Sequence, residues 1–440
     1  MKNVEGMIFL SNSITFTATG DSLIARRLPS GDVSMDNIKS IIQLGDVRFT
    51  NLETTVQSTE SFPSAVSGGT WSSASPEMFC DLLGYGFNLV AWANNHTLDF
   101  SYGGLRSTEQ LLNKYGIVHA GAGNNLASAS EPRYLETNNN RVALIATTSN
   151  FDRTWIAGEQ RRDMIGRPGI NPMRLNTIYT INATHMKQLK EIAENCKINS
   201  AYQILTNKGY MKEHPDCWFP FGEYIFQEGD SESTIIKIDP RDENRIVNSI
   251  REAKRQSDYV VLSIHTHQPN SDDLEEPADF IVNFARKCID EGAHAIICHG
   301  PHIVRGIEIY KNRPIFYSLG NFIFQNESIT SQPSDFYDKF GLGHEHNIAD
   351  VFDKKEEIGL NGLSRDYKVW QSLIPYWKME NGELRELALY PIDLGFEKPR
   401  YKRGWPELTS NMEVLHNVAQ LSRKFGVEIE IMDGVGKIHW

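Results

Sequence analysis

Five apolar, β-branched runs in this chain each end in side chains able to bind a cation or carry a proton. Residues 14–19 lead into Gly20-Asp21, and residues 47–51 lead into Leu52-Glu53. Residues 87–91 precede Asn94-Asn95-His96, residues 259–264 precede His265, and residues 294–298 precede His299-Gly300-Pro301-His302. Carboxylates, carboxamides and imidazoles are the donors that Mn, Fe and Zn sites use. Two such ions about 4 Å apart could share one carboxylate, clamp a phosphoryl or carbonyl oxygen and activate water. Taken one at a time, the clusters have plainer explanations. An Asp after Gly is a turn or cap residue. His294 opens an apolar strand as a packed or surface ring, and His265 and His267 read as one inward and one solvated side chain. Five separate strand ends with the same chemistry favour a metal site.

Such clusters need a scaffold that gathers them. The first 150 residues alternate short β-type runs with helical patterns at 34–44, 76–84 and 103–115, and further strands are expected at 117–120 and 141–147. Strands separated by helices of roughly 10–15 residues read as βαβ units in a layered α/β fold. The rhythm is lost over 151–240, which reads as an insertion with one helix near 184–196 and a turn carrying Arg167 and Arg174. It returns with helices at 244–256 and 277–292 and strands at 259–264, 294–298, 304–310 and 314–319. Residues 327–369 are polar with little periodicity and are expected to form a loop or lid. A hairpin around Asn381-Gly382, a helix near 407–425 and a strand at 427–432 then complete the domain. In open α/β sheets ligands bind beyond the carboxyl ends of the strands, where all five clusters fall.

Composition narrows the partners. The 440 residues carry 44 Lys and Arg against 56 Asp and Glu, a formal charge of −12. That balance argues against nucleic acid, whose binding is dominated by basic side chains on phosphates. It describes the surface at large, because five of the 13 histidines fall between His265 and His302. The five cysteines show no C-x-x-C and are expected to be reduced and mostly buried. The start of the chain lacks a basic segment, its apolar run Met7-Ile8-Phe9-Leu10 is too short for a signal peptide, and no stretch approaches the length of a membrane span. The expectation is a cytoplasmic protein without direct membrane insertion.

These motifs carry a resemblance. Gly20-Asp21, Asn51-Leu52-Glu53, Ala93-Asn94-Asn95-His96 with Asp99, and Gly121-Ala122-Gly123 are similar to successive motifs of the capsule-synthesis CapA family. So are Ser263-Ile264-His265, His299-Gly300-Pro301-His302 and the run from Tyr317 to Phe322. That family includes poly-γ-glutamate biosynthesis proteins. The resemblance implies a calcineurin-like metallophosphoesterase fold, an α/β/β/α sandwich over residues 12–326. It also implies that Asp21 ligates one divalent metal, Glu53 bridges, Asn95 and His265 serve a second ion, and His299 and His302 divide between the two. His96 falls where the wider superfamily places a general acid, with Asp99 beside it. Two departures stand out: Leu23 occupies the place of a ligating histidine, and the bridging residue is Glu where Asp is usual. One ion of Mn, Fe or Zn, or a pair completed by water, is therefore expected. Arg26, Arg27 and Arg167 are candidates for holding an anionic small molecule or a γ-glutamyl polymer. The function implied is a metal-dependent hydrolase of phosphoester or γ-glutamyl/acyl bonds. The alternative is a non-catalytic polymer- or partner-binding component.

Overall fold

The computed structural model describes residues 13–29, 31–58, 61–270, 272–360 and 362–440. The apolar run Met7–Leu10 lies outside them. Two sheets form the middle of the fold. One runs in the order Glu428–Met432, Val435–His439, Glu383–Asp393, Gln371–Glu380, Ser13–Leu23, Val47–Leu52, Leu89–Ala91 and Val118–Ala120. The other runs Ile307–Tyr310, Arg313–Phe316, Ala295–His299, Tyr259–His265, Arg141–Thr148 and Arg133–Glu136. Alternation along the strands explains the layering. Phe16, Phe49, Leu89 and Ala91 of the first sheet share one buried cluster with Leu144, Val261, Ala295 and Ile297 of the second. On the other face of the first sheet, Val90 and Trp92 pack with Ile38, Ile42, Phe79, Leu82, Leu105 and Leu112 from three helices. Beyond the second sheet, helix Asp279–Asp290 buries Ile281, Phe284, Ala285 and Cys288. The result is the α/β/β/α sandwich. Local signals start its helices: the Asp32 side chain caps Val33–Ile42 through Ser34 N–H, and Ser75 caps Pro76–Leu83 with proline in the first turn.

The central strands of both sheets are parallel, so their carboxyl ends emerge together. Asp21 is in register with Asn51, and His265 lies between Thr148 and His299. A strand missing from the sequence expectation, Asn321–Phe324, pairs with the end of Ser13–Leu23. The approach there is close: a Cβ on Gly20 would fall 1.8 Å from the Gly320 carbonyl oxygen.

Other expectations need correction. The inserted unit is Met173–Glu243, whereas 151–172 belongs to the main unit. It holds a four-stranded sheet and two helices, Ala183–Asn195 and Ser200–Asn207, where one helix was expected. Residues 327–369 are not merely loop. They contain helices Ser334–Asp338 and Ile348–Glu357, from which Phe336 and Val351 pack on buried Trp71. A further strand, Val435–His439, follows Glu428–Met432. Cys80, Cys196 and Cys217 are exposed, and only Cys288 and Cys298 are buried. No helix among the described residues is long and apolar enough to cross a membrane.

Candidate metal centre

The strand ends converge. Asp21, Glu53, Asp99, His265 and His299 are fully buried, and Asn95, His96 and His302 are nearly so. Ligand atoms of Asp21, Glu53 and His302 lie within 4.8 Å of one another, as do those of Asp21, His265 and His299. A third set, Glu53, His265 and His267, meets the same distance. His265 divides the cluster. Its Nδ1 lies 2.9 Å from His299 Nδ1 and 3.9 Å from Asp21 Oδ1, while its Nε2 lies 3.5 Å from Glu53 Oε1. His302 reaches both carboxylates, with Nδ1 3.7 Å from Asp21 and Nε2 3.8 Å from Glu53.

Several neighbours hold these groups. Asn51 Nδ2 donates to Asp21 Oδ1 at 2.7 Å, and the Gly300 N–H donates to Asp21 Oδ2 at 2.9 Å. Ser263 Oγ is 2.6 Å from His299 Nε2, and Asn321 Oδ1 accepts from His302 Nδ1 at 2.8 Å. His302 itself has φ of 62°, a left-handed conformation uncommon outside glycine and concentrated at functional sites. Asn51, Ser263 and Asn321 were not among the expected site residues. Asn51 and Ser263 sit inside motifs that drew attention only to their neighbours, and their spacing beside Glu53 and His265 was the available signal.

The electrostatics call for a cation. Both oxygens of Glu53 and the Oδ1 of Asn95 are buried with no hydrogen-bond partner. A buried unpaired carboxylate is costly, so it neutralises or finds a positive partner. Burial pushes the Glu53 carboxyl well above its ordinary range, and the charges of Asp21 and Asp99 add to the shift. Burial likewise raises Asp21 to about 7 against the opposing hydrogen bonds from Asn51 and Gly300. Burial holds His265 well below the usual histidine range, His299 at about 3 and His302 at about 4, so the rings are neutral donors. Orphaned carboxylate oxygens among neutral imidazoles fit a divalent ion, which Asp21, Glu53, His265, His299 and His302 could hold.

His96 joins this cluster from the first sheet. Its Nδ1 bonds Asp99 Oδ2 at 2.6 Å, and the same oxygen accepts the Ser72 N–H at 2.7 Å. Asp99 is therefore a positioning residue for the ring. The segment before Ser72 closes over these groups: Ser64 N–H donates to the Asp99 carbonyl, and a Cβ on Gly68 would fall 2.3 Å from Asn95 Nδ2. Gln332 clamps Trp71 by accepting from its N–H and donating to its carbonyl.

The three arginines expected to bind substrate are engaged elsewhere. The Arg26 guanidinium donates to the carbonyls of Tyr401 and Arg403, Arg27 pairs with Asp81 at 2.6 Å, and exposed Arg167 donates to the Ile156 carbonyl. Among the described contacts none joins the ligand cluster. His294 is a packed ring whose Nδ1 accepts the Val260 N–H. His267 corrects the expectation of a solvated ring, because its Nε2 lies 2.9 Å from His265 Nε2.

An uncharacterized protein, y4sH, of Sinorhizobium fredii is 34% identical over 97% of this chain and 93% of its own length. The PGA biosynthesis protein CapA of Bacillus subtilis is 32% identical over 33% of this chain and 40% of its own length. A solved structure, a putative 5'-nucleotidase of Staphylococcus aureus, covers 93% of this chain and 58% of its own at 11% identity, with a TM-score of 0.36. Nothing about activity follows from that last likeness. Residues 15–326, which hold every proposed ligand, match the bacterial capsule synthesis protein PGA_cap, and the chain belongs to that family.

Proposed function

We propose that this chain is a metal-dependent hydrolase of a phosphoester or γ-glutamyl/acyl bond, acting on an anionic small molecule or γ-glutamyl polymer. The observation that carries this reading is Glu53, a buried carboxylate whose two oxygens have no hydrogen-bond partner and whose neighbours are imidazoles. A divalent ion, Mn, Fe or Zn, held there would supply Lewis acidity toward a phosphoryl or acyl oxygen and acidify a water. The chain's own part is to orient and to move a proton. Asp99 fixes His96 at Nδ1, which leaves Nε2 as the atom that passes a proton to the leaving group. Asn51 and the Gly300 N–H hold Asp21 in place, while Ser263 and Asn321 set the His299 and His302 rings. The Bacillus subtilis relative is named for PGA biosynthesis, which supports a γ-glutamyl substrate. Nucleic acid is not proposed, since the net charge is −12. Arg26, Arg27 and Arg167 are not assigned to the substrate, because their contacts lie elsewhere.

Elemental analysis of protein purified without chelator, with phosphate esters and γ-glutamyl peptides screened in added Mn, tests the reading. Bound metal near one equivalent or more is expected, with turnover of one substrate class that falls about 100-fold or more in His96→Asn. Less than about a tenth of an equivalent, with no gain on reconstitution, would overturn it. A second reading, a non-catalytic binding component, is favoured by Leu23, a buried side chain that cannot ligate. Polymer binding that survives Glu53→Ala, without turnover in the parent, would support it.

A further inference from the structure

His267 has no place in the set implied by resemblance, yet its ring lies against the centre. Residues two apart in extended chain point to the same side. His265 closes the Tyr259–His265 strand, and His267 follows it inward. The two Nε2 atoms are 2.9 Å apart and the ring centroids 4.9 Å apart. Glu53 Oε1 stands 3.5 Å from His265 Nε2, so one carboxylate and two imidazole nitrogens converge. The facing turn leaves room for the second ring. Gly300 has φ of +114°, and a Cβ there would fall 2.7 Å from His267 Cδ2 and 3.2 Å from His267 Nε2. At the other edge of the ring, Asn150 Nδ2 donates to Nδ1 at 3.1 Å, which puts the ring proton on Nε2, against His265 Nε2. A cation at Nε2 takes the place of that proton, and the Asn150 amide then turns its oxygen toward an Nδ1 proton.

We propose that His267 is a metal ligand, forming with Glu53 and His265 a three-donor site beside the Asp21, Glu53 and His302 set. Glu53 is then the carboxylate common to both sets, and neither of its oxygens has a hydrogen-bond partner. His265 binds through Nε2, on the Glu53 side, while its Nδ1 stays toward His299 and Asp21. His267 restores the donor count that Leu23 leaves short, though not from the same position in the chain. The inference rests on the metal-centre reading above and adds one ligand to it.

Titration of the metal-free protein with Co(II), read as bound equivalents and as visible absorption, tests it without any assay of turnover. The wild-type protein is expected to take up two equivalents, and His267→Ala one fewer, with loss of part of the d–d absorption. His267→Gln, which fills a similar space, is expected to behave likewise and covers an alanine variant that circular dichroism shows to be unfolded. Equal uptake, affinity and absorption in wild type and either folded variant would overturn the role of His267 and leave the metal centre standing. A wild-type protein that binds no Co(II) would instead overturn the centre itself.

Discussion

The two sheets prepare their halves of the centre differently. The second sheet and the turn after it present imidazoles that each have a protein partner at one nitrogen: His299 against Ser263, His302 against Asn321 and His267 against Asn150. The first sheet presents oxygens, and its central one has no such support. Asp21 accepts two hydrogen bonds, whereas Glu53 accepts none. The rings are therefore oriented before any cation arrives, and their partners act on affinity through orientation and tautomer. Glu53 is held by packing alone, and its charge has no balancing group within hydrogen-bond reach. The imidazole half serves the cation; the cation serves the carboxylate half.

The strongest way to break that comparison is Glu53→Gln. It removes the charge and retains the shape, so cation affinity should fall at least about 100-fold in a Mn titration. In protein kept metal-free with chelator at pH 8, the same change should raise stability by about 1–3 kcal/mol, because an unpaired buried charge is relieved. Denaturant unfolding reads the second effect. A chelated variant less stable than chelated wild type would mean that Glu53 already has a compensating partner. Ser263→Ala probes the other half and should act more weakly. The ring of His299 loses its fixed partner at Nε2, and affinity should fall about 10-fold with little change in metal-free stability. No change in affinity would remove the argument for pre-oriented rings.

Much of this centre was legible in the chain. Asp21, Glu53, Asn95, His265, His299 and His302 each follow a run whose β-branched or apolar character marks a strand end, and parallel pairing brings such ends to one edge. What escaped depends on facts that local pattern does not carry. The sequence alone leaves His265 and His267 as one inward and one solvated ring, whereas the structure sets both Nε2 atoms together on one side. Asn321 lies in a four-residue strand behind Gly320, too short to show periodicity. Arg26 sits near Asp21 in sequence, but its partners are carbonyls about 375 residues away, a pairing set only by the fold. In the inserted unit, Pro220 and Gly222 interrupt the alternation of Trp218–Phe221 and Tyr224–Glu228 and hid a sheet.

The smallest expected effect is also the one that separates the halves by sign. In metal-free protein, burial holds His265 and His267 well below the ordinary histidine range, His299 at about 3 and His302 at about 4. Below about pH 6.5 the unfolded chain takes up protons on these rings and the native protein does not, so stability falls as pH falls. The carboxyls act in the opposite direction. Glu53 is raised well above the ordinary range and Asp21 to about 7, so the native protein keeps protons that the unfolded chain has already lost above about pH 4.5. Their contribution is fully present below the unfolded values and is lost as pH rises through the folded ones. Between about pH 4.5 and 6.5 four rings outweigh two carboxyls, and above that range the carboxyls act alone. The melting temperature of chelated protein should therefore pass through a maximum near pH 6.5 and fall by a few degrees on either side. Glu53→Gln should weaken the alkaline decline, leaving the part due to Asp21, and steepen the acid side above about pH 4.5, because the rings there lose one opposing carboxyl. An alkaline side that persists unaltered in Glu53→Gln would place the unpaired charge elsewhere than at Glu53.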